Sequence, residues 1–534
     1  TRDVNLIDQG LELVRSLDNE SLYQKLLKGI EYKVFKSKTW SGEEQEEGRL
    51  VANSTFTGSG PAQPYLNYAM RGLINNAPND FVQKLRSEVK ELKIDFFGDI
   101  SNFVNLERLD MSYNGAGKQT ISYLKEFSVF EKLTSLSIHG EFIHTDQDLK
   151  GFLNLKGLTH LKLSISLLSS GKNALSLKTL VGMENCSELQ ELSIDGCAKL
   201  IDVEGINGCQ KLKSIELSEA KRLENLNGLK GLKSLKTINI NDAEALDNLD
   251  GLKGCDSLEE IKIDGSNYSG NKKIKQPIKN VDGLIGLKKL KDLNLSSFNS
   301  LKNVDGLKGC SDLSYLNISS DSLENINGLK NLKALRGIQL DTVKLNNIDG
   351  LSGCENLDDF NIQSKDIKNL NGLKGCDKLQ ELNIPSSAKS LNLDGLASMN
   401  SLRVVNFRDC EIKSFDFTQK IPPITYADIK SSNQIKSLEG IGNLINLEKI
   451  IIKDCTNLEN LKGIENIKTL ESVIIQDCKS LKDVKALLSL PKLKVFKMRS
   501  CGIKKEELPG HLKVIVETTI SHMDEDSYSF RDKK

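Results

Sequence analysis

Residues 357–376 read LDDFNIQSKDIKNLNGLKGC, and at Leu379 the same pattern starts again. Leu357, Phe360 and Ile362 form an L-x-x-φ-x-φ triplet, where φ is apolar. Ile367, Leu370 and Leu373 follow at spacings suited to a turn and a short helical segment, with Gly372 immediately before Leu373. Side chains alternate along a strand, so the triplet's apolar residues turn inward while the residues between them face out. One such unit cannot bury both of its edges, so the core has to come from stacked neighbours.

Working outward from this stretch, triplets begin at Leu106, Leu133, Leu158, Leu189, Leu212, Leu235, Leu258, Leu290, Leu313, Leu335, Leu357, Leu379, Leu402, Ile424, Leu447, Leu470 and Leu493. That is seventeen, with degenerate units near Val89 and His511. From Leu313 onward every spacing is 22 or 23 residues; earlier ones stretch to 31 and 32, the last around the basic loop NYSGNKKIKQP. The glycine before the second-half leucine recurs in Asn227-Gly228, Asp250-Gly251, Asp282-Gly283, Asp305-Gly306, Asn327-Gly328, Asp349-Gly350, Asn371-Gly372 and Asp394-Gly395. Such dipeptides favour a tight turn, and glycine accepts backbone angles that other residues resist.

This period and triplet resemble the leucine-rich repeat family, in its 22–23-residue internalin-like form, over roughly residues 89–516. The resemblance implies an α/β solenoid. Its horseshoe carries a parallel β-sheet on the concave side and short turns or 3-10 segments on the convex side. The chain departs from that class at the ladder position nine residues into the unit, which is usually asparagine and here is Cys, Ala, Ser or another residue. Ala220 and Ala243 supply no side-chain bond to the turning backbone, so local irregularity is expected there.

The 534 residues divide on this reading into an α-rich N-terminal cap or docking domain (1–88), the solenoid (89–516, about 17–19 repeats) and a polar tail (517–534). Helical periodicity runs through Leu6–Leu17 and Leu22–Ile30, with further helices expected over 65–74 and 81–89. Tyr32–Phe35 suits a short strand, and SKTWSGEEQEEG (37–48) an acidic surface loop.

Composition excludes more than it selects. Basic and acidic residues balance at 73 each, and no apolar run approaches a membrane span, so neither nucleic acid nor membrane is expected as a partner. All eleven cysteines fall in two repeat slots, three residues before the first leucine or eight after it, and so act as small buried apolar residues. With the charged, polar start TRDVNLIDQG, that points to reduced thiols and a cytoplasmic location. Cys455, Cys478 and Cys501, stacked about 5 Å apart, fall within disulfide reach under oxidation.

No cofactor or catalytic constellation emerges, and the array is expected to be non-enzymatic. His139 and His160 occupy outward strand positions in adjacent repeats, with His144 in the following loop, but no cysteine or paired carboxylate joins them at ligand spacing. GSGPAQP (58–64) lacks the lysine of a phosphate loop. The outward face is more informative. Its central slot reads Asn239, Lys262, Asn294, Asn317, Gln339, Asn361, Asn383 and Asn406, an amide ladder that either bonds along the sheet or meets a partner. Glu259, Glu260, Asp264, Asp292, Asp341, Asp358, Asp359 and Glu381 make the middle acidic.

The C-terminal third carries Arg403, Arg408, Lys430, Lys449, Lys453, Lys494, Lys497 and Arg499, interleaved with Val404, Tyr426, Ile451, Ile474 and Val495. Apolar residues in outward slots, rimmed by charge, read as an exposed partner-binding patch. The expected function is therefore a scaffold that binds a partner protein through its concave face. The alternative is a sensor or targeting subunit of a larger complex, docking through residues 1–88.

Overall fold

The computed structural model describes residues 30–38, 44–52, 90–94, 103–112, 129–139, 155–164, 177–265, 277–364, 366–384, 391–411, 415, 421, 424–508, 510 and 512–517. The chain forms two compact units, Thr1–Ala245 and Leu246–Lys534. In the first, β1 (Ile30–Lys38) pairs antiparallel with β2 (Glu44–Ala52). Parallel strands then follow in chain order: β3 (Glu91–Ile94), β4 (Arg108–Ser112), β5 (Ser135–His139), β6 (His160–Ser164), β7 (Glu191–Ile194), β8 (Ser214–Leu217) and β9 (Thr237–Ile240).

The second unit holds β10 (Glu260–Asp264), β11 (Asp292–Ser296), β12 (Tyr315–Ser320), β13 (Gly337–Thr342) and β14 (Asp359–Gln363), each parallel to the next. A further sheet contains β15 (Glu381–Asn383), β16 (Val404–Arg408), β17 (Tyr426–Lys430), β18 (Lys449–Lys453), β19 (Ser472–Gln476), β20 (Val495–Arg499) and β21 (Val516–Glu517). Each unit is thus a solenoid of parallel strands, one strand per repeat.

The triplets do what their spacing implies. Leu357, Phe360 and Ile362 are buried, as are Ile367, Leu370 and Leu373 from the same coil. Each such side chain contributes about 1.5–3 kcal/mol by leaving water. Opposite the strands, the second-half leucines sit in short 3-10 turns such as Asp349–Leu351 and Asn371–Leu373. An asparagine two residues before each turn fixes its entry. Asn225, Asn248, Asn280, Asn303, Asn325, Asn347, Asn369 and Asn392 each accept, through Oδ1, the backbone N–H two residues on, at 2.8–3.3 Å. The recurring pattern N-x-[ND]-G-L is the sequence signal of these Asx turns.

Three expectations need correction. Gly372 has no left-handed backbone; a Cβ there would overlap the carbonyl oxygen of Ile348 in the preceding coil. Glycine is needed at this dipeptide because the coils approach closely. The left-handed position is Gly375, three residues later, at φ +87° with open space around its Cα.

Second, Ala220 and Ala243 bring no irregularity. The residue before each ladder slot is left-handed whether that slot holds Ala or Cys: Glu219 and Asp242 match Asp454 and Asp477, at φ 55–57°. Backbone closes the turn, as in Ala220 N–H to Asn241 O at 3.0 Å, while cysteines add a weak donor, as in Cys478 Sγ to Gln476 O at 3.4 Å. In the repeats beginning at Leu313, Leu335 and Leu357 the buried slot moves back one residue, to Ser320, Thr342 and Ser364.

Third, residues 44–48 belong to β2, so the acidic stretch is half of a hairpin and not a loop. The helices expected at 6–17, 65–74 and 81–89 and the tail beyond 517 lie outside the described residues, as does the helix expected at 22–30 apart from Ile30, which opens β1.

Candidate protein-binding face

In the second unit the outward residues of β16–β20 form columns, because the parallel ladders run in register. One column is Arg408, Lys430, Lys453, Gln476 and Arg499. Four cations in five rungs stand at the end of the strands, where strands about 4.8 Å apart crowd like charges. Arg408 and Arg499 are exposed, Lys430 and Lys453 half-buried. Arg408 forks onto Asp428, donating through Nη2 at 2.7 Å and Nε at 3.1 Å to Oδ2. Asp428, absent from the sequence reading, is a carboxylate only 9% exposed at its side chain.

A second column runs Val404, Tyr426, Lys449, and a third runs Asp428, Ile451, Ile474, Lys497. Here the expectation of an exposed apolar patch fails. Val404, Tyr426, Ile451 and Ile474 are 1–5% exposed and pack as one buried cluster on the outward side of the strands. Apolar side chains on adjacent rungs stack against each other, and the Lys449 ammonium lies 5.6 Å from the centre of the Tyr426 ring. With Val405, Phe407, Ile450 and Ile475 inside, these strands are apolar on both faces. Val495, expected in the same patch, is half-buried.

The other members stand apart from the columns. Arg403 turns its guanidinium back onto the carbonyls of Asn400 and Leu402, at 2.9 and 3.0 Å. Lys494 binds Glu471 at 2.9 Å, and that hydrogen bond holds the Glu471 carboxyl below the usual carboxylate range.

The amide ladder is in register along β10–β14, but amides hydrogen-bond from rung to rung, among the described residues, only at Asn406 Nδ2 to Asn383 Oδ1, 2.9 Å. Asn294 Oδ1 is enclosed without a hydrogen bond. In the first unit His139 meets Ser164 Oγ at 2.5 Å and Asp110 at 3.6 Å. His160 meets Thr159 Oγ1 at 2.7 Å and Glu191 at 3.7 Å. No three His, Cys, Asp or Glu side chains among the described residues are grouped to hold a metal. His144 lies outside those residues. No helix among them is long and apolar enough to cross a membrane. The cysteines are free, and burial raises thiols such as Cys186 to about 11 and Cys376 to about 12.

An internalin of Listeria monocytogenes is 15% identical, with a TM-score of 0.39, covering 82% of this chain and 94% of its own. A leucine-rich repeat protein of Leptospira interrogans is 16% identical, with a TM-score of 0.37, covering 80% and 94%. No curated protein matches the sequence. The family model for the BspA type leucine rich repeat region (6 copies) matches residues 182–305, 285–403 and 400–524. The chain belongs to the BspA-type leucine-rich repeat family.

Proposed function

We propose that the chain is a non-enzymatic scaffold that binds a partner protein through the outward, concave face of a repeat horseshoe. The recognition array is residues 89–516, flanked by a cap or docking domain and a polar tail. The supporting observation is the column Arg408, Lys430, Lys453 and Arg499, aligned rung by rung on strands whose two faces are both apolar. Such a seat is rigid before binding, so little ordering free energy is lost when a partner docks. Its charge fits an acidic protein surface. Lys449, Ile451, Ile474, Lys494, Lys497, Arg403, Val404 and Tyr426 complete the region, the apolar ones as its foundation. The free cysteines are consistent with a cytoplasmic setting.

The test uses the triple variant K430E/K453E/R499E, which leaves the Arg408–Asp428 pair intact. Against a partner captured by the wild-type chain and identified by mass spectrometry, affinity should fall by at least about tenfold, mostly through slower association at low salt. Unchanged affinity would remove the column from the interface. Salt-steep binding of a DNA duplex, lost in the same variant, would reassign it to phosphate.

A further inference from the structure

The strand ladder of the second unit is interrupted at one step, and the interruption falls where the outward face changes character. From β11 to β20, with one exception, the second and third residues of each triplet donate their N–H groups to a single carbonyl of the coil before. Asp358 and Asp359 donate to Arg336 O, at 2.9 Å each, and Arg403 and Val404 to Gln380 O, at 2.8 and 3.0 Å. Among the described residues, Gln380 and Glu381 make no such bond to Asp358 O, and β14 and β15 belong to separate sheets.

Three features of the sequence meet at this step. Asp359 and Glu381 hold the same triplet position on successive strands, and like charges directly opposite each other disfavour pairing. Asp358 is drawn back to Arg336, at 2.8 Å, whereas Glu381 accepts from Asn406 Nδ2 on β16, at 2.9 Å. Pro385 stands at the position where Asp195, Ser218 and Asn241 donate to the preceding strand, at 2.8–3.0 Å, and proline has no N–H to give. It is the one proline at this position in the seventeen triplet units.

Opposite the strands the two coils stay joined, though less closely than their predecessors. Asn392 N–H donates to Lys368 O at 2.8 Å. A Cβ on Gly395 would stand 2.6 Å from Leu370 O, against 1.8–2.0 Å from the facing carbonyl at Gly306, Gly328, Gly350 and Gly372. A step that is held at its turns and unbonded along its strands has the form of a hinge.

We propose that the step from β14 to β15 is a hinge that lets the outward face of β10–β14 swing against that of β16–β20. Its pivot is the turn side, where Asn369 and Asn392 are bridged. One face carries Asp292, Asp341 and Asp359 and the other Lys430, Lys453 and Arg499, so the hinge angle sets the distance between two oppositely charged surfaces. This goes beyond the basic column, and holds whether or not that column binds a protein.

The test combines hydrogen exchange with spin-label distances on the full chain. By single-residue mass spectrometry, the amides of Gln380 and Glu381 should exchange at least about a hundredfold faster than those of Arg403 and Val404. Nitroxides carried on unnatural amino acids at Gln363 and Lys430 span three rungs across the step. A second pair, at Lys430 and Arg499, spans three rungs within one sheet. The first distance distribution should be at least about twice as broad as the second. P385S/E381Q restores the missing donor and removes the like charge. It should slow exchange at Glu381 about tenfold and narrow the first distribution to the width of the second. If that variant unfolds by circular dichroism, the wild-type comparisons decide. The proposal is overturned if Gln380 and Glu381 exchange as slowly as Arg403 and Val404, if the two distributions are equally broad, or if folded P385S/E381Q changes neither.

Discussion

Strands β10–β14 and β16–β19 share one repeat and one kind of inner core, yet their outward faces are built to opposite rules. On β11–β14 the central slots hold Asn294, Asn317, Gln339 and Asn361, partly or fully open to water. On β17–β19 the corresponding slots hold Asp428, Ile451 and Ile474, all buried. Inward slots make the stack in both places. Outward slots are not needed for stacking, so one region leaves them polar while the other adds a second apolar layer. Outward position in a repeat therefore does not imply exposure.

The largest expected effect separates the two faces directly. Ile474→Asp places a carboxylate inside the outer cluster and should destabilise the chain by about 3 kcal/mol or more, seen as a lower urea midpoint. Asn317→Asp, in the same slot on β12, should stay within about 0.5 kcal/mol. Equal shifts would mean that the two faces do not differ as described.

A smaller effect is expected at the edge of the buried face. Asp428 is held by Arg408, and Arg408→Ala leaves a nearly buried carboxylate without its fork. A loss of about 1–2 kcal/mol is expected, tempered because the Arg408 side chain is 56% exposed. Adding Asp428→Asn should restore most of it. A double-mutant cycle with no coupling would make the pair a surface ornament.

These contrasts also show how far the sequence could be read. The stack was legible because leucines in register can satisfy themselves only by stacking. Spacing alone could not give the reason for Gly372, since a turn and a close approach both select glycine and only the position of Ile348 O decides between them. Nor could it tell Ile451 and Ile474 from exposed residues. Alternation assigns a side of the strand, whereas burial depends on what the neighbouring rungs bring to that side. Asp428 carries no signal in the sequence, because a single acid among the outward slots of β16–β20 gains a role only once Arg408 is seen to reach it.

The smallest effect tests the open face, and its sign follows from Asp292. Burial, the leading cause, raises its carboxyl above the ordinary 3.8; Lys262 opposes that and Glu260 reinforces it. A carboxyl raised on folding binds its proton more tightly in the native chain, so its contribution to stability grows as pH falls through the window just above 3.8. At neutral pH the ionised group opposes folding slightly. Asp292→Asn should therefore raise Tm a little at pH 7, and the difference should vanish below pH about 3, where both chains are neutral at this position. If the Asn variant is less stable than wild type at neutral pH, the attraction of Lys262 outweighs burial at Asp292 and the sign is reversed.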